Sequence, residues 1–202
     1  MKNVKVPKRI YIKASTKENL TQKIDIATQT LERNIGFINS CDTKTSIVLT
    51  SIGVLLTIIL TNNGLSSIFH ITSSSLAGKT FCDILYLVGF LASVDMLLLG
   101  IWNLVNVLIA KIEPLNKSKK PSAAPSMVFF AGILNVGDEA VYHNRFLAMK
   151  GEELLDDLIS EIYINAEIAK QKYRHYNLGL KLTVCGFSLF IMMLLAGIYV
   201  YG

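Results

Sequence analysis

The sequence predicts a mainly α integral membrane protein with three transmembrane helices, two of them continuous with long cytoplasmic helices, plus a small mixed cytoplasmic segment. Three observations predict it. Of 202 residues, 51% are hydrophobic and only 17% charged, against roughly 25% charged in an average soluble domain. The charges are also unevenly placed: none falls between Lys44 and Lys79 or after Lys181, and residues 84–110 hold only Asp95. Lys and Arg concentrate in two stretches, nine in residues 1–44 and ten in 111–181. Such apolar blocks exclude a disordered chain and argue against an ordinary soluble monomer.

Residues 1–44 read as a cytoplasmic basic arm and amphipathic helix. They hold no apolar core or cleavage signature of a signal peptide, so the first apolar helix is expected to drive insertion. Ser15 and Glu18 have capping-box spacing, and Leu20, Ile24, Ala27, Leu31 and Ile38 recur at helical steps. One helix is predicted over about 16–62. Its second half, 45–62, is transmembrane helix 1 and ends at Asn62-Asn63-Gly64. Residues 63–80 are predicted as an external loop, and 81–110 as transmembrane helix 2, which Pro114 closes. Residues 111–181 are read as a cytoplasmic sensor segment and amphipathic helix. Within them, 116–125 is a basic, proline-punctuated linker, 126–136 reads as a short strand with 9–13 as candidate partner, and 138–150 is a short helix stopping at Gly151. A second long helix follows, with Glu152, Glu153, Asp156 and Asp157 at its start and Lys170, Lys172 and Arg174 toward its end, an order that suits the helix dipole. Its stripe of Leu155, Leu158, Ile162, Ala166, Ala169, Tyr173 and Tyr176 has the first helix as the obvious partner, or another copy. Residues 182–201 are transmembrane helix 3, with Tyr199 and Tyr201 at an interface. Positive residues mark cytoplasmic flanks, so both basic stretches are expected inside, with the N-terminus cytoplasmic and the C-terminus outside.

Three groups of residues stand out. Asp95 near the middle of the second span, with Asn103 and Asn106 on roughly the same face, makes a polar seam. An ionised carboxylate at that depth costs at least ~2.5 kcal/mol, so Asp95 faces protein or water or is protonated, and the seam is either a gate or pore-lining face or a set of interhelical hydrogen bonds. Ser46, Thr50, Gly53, Thr57 and Thr61 form a small-residue stripe expected to contact protein, within the chain or between copies. Lys117, Lys119 and Lys120, with the arm Lys2, Lys5, Lys8, Arg9 and Lys13, suit anionic headgroups or a phosphate-bearing ligand. His143, Arg145, Lys170, Lys172, Arg174 and His175 are candidate phosphate ligands, since guanidinium pairs phosphate oxygens bidentately. No phosphate-binding loop, nucleophile elbow or metal-ligand spacing occurs, and Cys41, Cys82 and Cys185 form no CxxC pair. No catalytic residue, metal or cofactor is expected, and nucleic acid is not an expected partner because the basic residues serve topology first.

The layout resembles the Pycsar transmembrane effectors of bacterial antiphage defence. The likeness lies in Asp42-Thr43-Lys44 before the first span, the adjacent pair of spans, Phe129-Phe130-Ala131-Gly132-Ile133 after a proline, and Ile168, Ala169, Lys170, Gln171, Lys172 and Tyr173 running into the last span. It covers about residues 30–200. The resemblance implies an effector in the bacterial inner membrane that binds a cyclic nucleotide, usually cyclic CMP or cyclic UMP, made by a partner cyclase on infection. Membrane integrity is then lost and the infected cell stops growing or dies. A homo-oligomer is expected. Charge and position choose Lys119, Lys120, Phe130, His143, Arg145, Lys172 and Arg174 as ligand-binding residues. The competing readings are a membrane scaffold that recruits a protein partner and a holin-like protein that perforates membranes without a signal.

Overall fold

In the computed structural model the described residues are 17–78, 80–109 and 126–201. They form six α-helices: α1 Lys17–Ile59, α2 Asn62–Gly78, α3 Phe81–Leu108, α4 Phe130–Leu134, α5 Glu139–Ala148 and α6 Gly151–Tyr201. No strand occurs among them. α1, α3 and α6 are long and apolar enough to cross a membrane, so the mainly α, three-span reading holds. α1 and α6 each pass from polar into apolar sequence without interruption. The described residues divide into two units, 17–33 with 126–165 and 34–109 with 166–201. Ser15 of the capping box and the arm through Lys13 lie outside the described residues.

In the first unit the stripe on α1 meets α6 of the same chain. Leu20 and Ile24 lie against Gly151, and Ala27 and Leu158 are buried. The strand expected over 126–136 is replaced by a bend and the short helix α4. The cause is local hydrogen bonding that outcompetes a ladder. Ser126 Oγ accepts from the backbone N–H of Val128 at 3.3 Å and of Phe129 at 3.1 Å. Asp157 on α6 accepts from the N–H of Met127 at 2.7 Å and from Ser126 Oγ at 3.1 Å. Gly132 packs onto Ser126 so closely that any side chain there would meet the Ser126 backbone. α5 begins where expected, with the Asp138 side chain accepting from the N–H of Ala140 at 3.1 Å.

In the second unit α3 and α6 pack antiparallel through small residues. Gly179 abuts Leu104, Thr183 abuts Gly100 and Gly186 abuts Leu97. Lipid competes equally for apolar surface, so helix association in a bilayer rests on close backbone approach and hydrogen bonds. The rest of the seam supplies aromatic packing of Phe90 on Phe190 and a bond from Tyr86 to the Met193 carbonyl at 2.9 Å. At the far end Tyr201 donates to Asp83, which also accepts from the Thr80 N–H. The connection between the first two spans is itself helical. α1 stops at Ile59 and the chain bends at Leu60 and Thr61, three residues before the predicted end. α2 then carries on, with Ile71 against Gly197 and Ser75 Oγ donating to the Asp83 carbonyl at 3.0 Å. Large apolar side chains such as Phe69, Phe81 and Met192 remain exposed, as expected of helices solvated by lipid.

Candidate functional site

The first unit contains a cleft of about 470 Å³ lined by Met127, Arg145, Met149, Glu153, Asp156, Asp157 and Ser160. Its walls follow from helical periodicity. Positions 153, 156, 157 and 160 fall on one face of α6, and the C-terminal half of α5 and its C-cap supply Arg145 and Met149. The third wall, Met127, is held by the Asp157 bond to its N–H and by Tyr142, whose hydroxyl donates to the Met127 carbonyl at 3.1 Å. Asp157 is thereby committed to the scaffold, and Glu153 accepts from the Lys150 N–H at 3.3 Å at the start of α6. Arg145 and Asp156 supply charge to the opening, both exposed. The cleft falls within the 300–1,000 Å³ typical of small-molecule sites. It offers one guanidinium for an anionic group and carboxylates that accept from hydroxyl or amino groups.

The residues chosen from sequence are not all brought together. Arg145 lines the cleft and His143 is exposed on the same helix. Phe130 opens α4. Lys119 and Lys120 lie outside the described residues. Lys172 and Arg174 belong to the second unit. There Lys172, only 7% exposed, places its ammonium 2.6 and 2.8 Å from the two carboxylate oxygens of Asp42. This ion pair fastens α1 to α6 and occupies the lysine. Arg174 is exposed.

The seam in α3 also divides. Asn103 and Asn106 are half-buried and donate to the Leu99 and Trp102 carbonyls of their own helix at 2.8 and 2.9 Å. Asn103 Oδ1 also lies 3.3 Å from Nδ1 of His175 on α6. Asp95, by contrast, is exposed. The small-residue stripe of α1 and the bend after it is likewise exposed throughout, and Gly53 has open space around it. The buried positions of α1 in this unit are instead Cys41, Thr45 and Ile52.

Comparison with known proteins decides the family. The model of the Pycsar effector protein domain matches residues 26–200. The chain belongs to the Pycsar effector family. The resemblance read from about residues 30–200 therefore holds, and the first 25 residues fall outside the matched domain. The Pycsar effector protein GmPycTM of Gulbenkiania mobilis is 26% identical over 182 residues, which cover 83% of this chain and 89% of that protein. No solved structure matches the chain. Within this Pycsar effector the matched region includes every lining residue of the cleft and both partners of the Asp42–Lys172 pair. That pair joins two of the segments that carried the resemblance, Asp42-Thr43-Lys44 and the run from Ile168 to Tyr173. The sequence reading missed it because its partners are 130 residues apart. The charge order of α6 suits the helix dipole and the positive-inside rule, and the spacing of three, four and seven residues from Glu153 to Asp156, Asp157 and Ser160 is the further signal that points to a shared face.

Proposed function

We infer that this membrane effector of antiphage defence binds a cyclic nucleotide in the α5–α6 cleft and answers by impairing the inner membrane, so that infected cells stop growing or die. The reading rests on one observation above the others. The helix that lines the cleft with Glu153, Asp156, Asp157 and Ser160 is the same unbroken helix whose later residues form the third apolar span. A change in the start of α6 has a covalent route to the bilayer. Arg145 is the anchor for the cyclic phosphate, and the carboxylates suit donors of the ribose or base. His143, Phe130, Lys119 and Lys120 are further contacts in this reading. Lys172 holds α1 on α6, and Arg174 faces solvent or headgroups. The distribution of Lys and Arg supports a cleft on the cytoplasmic side, where a partner cyclase would release the ligand, with the C-terminus outside. The active form is a homo-oligomer.

Expression with and without a cognate cyclase tests this reading against a scaffold and a holin-like protein. Growth arrest should require both genes, and Arg145→Gln should abolish it while the protein still accumulates in the membrane. Loss of one charge-assisted hydrogen bond of about 1.5–3 kcal/mol corresponds to roughly 10- to 100-fold weaker nucleotide binding. Arrest by the effector alone, or arrest that survives Arg145→Gln unchanged, contradicts the reading.

A further inference from the structure

Two outward features of the second unit sit at one height. On α6, Gly186 abuts Leu97 and Thr183 abuts Gly100, so Asp95 of the descending α3 is level with Ser188. Lys172 is level with Asp42, and α1 climbs in the same direction as α6, because the chain beyond it brings Ile71 to Gly197. Rising about 24 Å along both helices at 1.5 Å per residue places Ile58 at that same level. The carboxylate of Asp95 and the break between α1 and α2 at Leu60 and Thr61 therefore lie within about one helical turn of each other in depth, far from the Asp42–Lys172 pair.

Each feature is incomplete in a single chain. Asp95 is exposed on a groove lined only by its own helix, with Leu98, Leu99, Ile101, Trp102 and Val105. An exposed carboxylate at this depth faces a partner or water, not lipid. A helix break at bilayer depth is tolerated where protein covers it or where it borders water. Thr61, Asn62 and Asn63 at the break are exposed, and no side-chain hydrogen bond is formed by these three among the described residues. The break presents amide and hydroxyl donors; Asp95 presents an acceptor. The outward stripe of α1 also continues past the break as Asn62, Ser66, His70 and Ser73, all exposed. Small residues such as Gly53, with open space around it, allow close backbone approach along that face.

We propose that these faces meet between copies: the Asp95 face of α3 in one chain packs on the α1–α2 break of the next, with Asp95 bonded to Thr61, Asn62 or Asn63. The two surfaces differ, so the contact is head to tail and repeats from copy to copy. The polar stripe of α1 and α2 then runs along the seam between neighbours, where it borders the water path that opens in the active state. The inference rests on the homo-oligomeric membrane reading above and adds to it the contacting faces and the residues along the path.

Cysteine cross-linking in native membranes tests it. Two differently tagged copies, both carrying Cys82→Ser and Cys185→Ser, receive Asp95→Cys and Asn62→Cys respectively, and are oxidised with copper phenanthroline with and without added cyclic CMP or cyclic UMP. A mixed-tag dimer that needs both cysteines, in either condition, is the expected result. Leu91→Cys with Ser66→Cys, one turn further along the same two faces, should cross-link likewise and guards against a variant that fails to fold. Overturning results are no mixed dimer from either pair, Asp95→Cys joined to itself, or a wild-type chain of single-copy mass in lipid nanodiscs, alone or bound to another protein. The readout needs neither nucleotide binding nor leakage. Cross-linking without nucleotide-dependent leakage leaves the interface standing and removes the sensing reading; leakage without cross-linking does the reverse.

Discussion

Replacing Gly100 with leucine is expected to separate α3 from α6 and abolish the folded membrane unit. A Cβ at position 100 would meet the backbone N and Cα of Thr183 as well as its hydroxyl. Backbone cannot swing aside as the end of a flexible side chain can, so the helices must part. Overpacking of a well-packed site costs about 1–3 kcal/mol, and the loss here is greater because the pairs Gly179–Leu104 and Gly186–Leu97 share the same seam. Those pairs open together with Gly100. Gly36→Ala is the matched control: position 36 has nothing within 4 Å, and alanine gains about 0.8–1.0 kcal/mol of helix propensity over glycine. Thermal unfolding in detergent, followed by loss of the monodisperse chromatographic peak, should show Gly100→Leu absent or strongly lowered in midpoint and Gly36→Ala unchanged or raised. Equal midpoints for the two variants would remove the α3–α6 seam as the source of the unit's stability.

The second large effect is expected at the ion pair. Lys172→Met leaves the Asp42 carboxylate without its cation. Breaking a fully buried pair by removing one partner costs about 3–5 kcal/mol. The Asp42 side chain is 34% exposed, so water recovers part of this and about 2–3 kcal/mol is expected. Asp42→Asn strands the lysine, the more deeply buried partner at 8% side-chain exposure, and should cost as much or more. The double variant Asp42→Leu with Lys172→Met removes both charges, and replacing a buried pair by apolar groups is often neutral. Its midpoint should return toward that of the wild type. A double-mutant cycle on unfolding midpoints measures this, and additive single effects would mean that the pair does not couple α1 to α6.

Much of the architecture was legible in sequence because the bilayer imposes a simple rule. Charge gaps longer than about 20 residues mark spans, and the gap between Lys44 and Lys79 and the uncharged run after Lys181 located two of them while Asp95 interrupted the third without hiding it. The continuity of α1 and α6 was legible from the absence of proline and the persistence of the apolar stripes. The α2 helix was not, because residues 62–78 are rich in Ser and Asn and open on a turn-like Asn-Asn-Gly. Its helical form depends on Ile71 and Ser75 finding partners on α6 and α3. The apolar run 126–136 was ambiguous between strand and helix by pattern alone. Asp157, thirty residues away from Met127, decides it.

The candidate site was less legible than the fold for a related reason. Arg145 was chosen on charge and does line a cleft, whereas Lys172 was chosen on the same ground and is held by Asp42. Charge identifies a group that binds anions. Only the fold says whether that anion is a ligand or a neighbouring carboxylate. Asp95 is out of place in a bilayer by sequence, but its exposure depends on which face of α3 the glycines of α6 occupy, and that is set by pairs 75 to 89 residues apart in sequence.

Dye release from liposomes reconstituted with the purified chain tests the central claim most directly. Cyclic nucleotides, cyclic CMP and cyclic UMP among them, are added one at a time, with the linear monophosphates as controls. The account predicts that one cyclic nucleotide releases the dye, that linear monophosphates do not, and that Arg145→Gln requires roughly 10- to 100-fold more ligand for the same rate. Release that is equally fast with no nucleotide, or no release with any cyclic nucleotide shown to bind the protein, would contradict it.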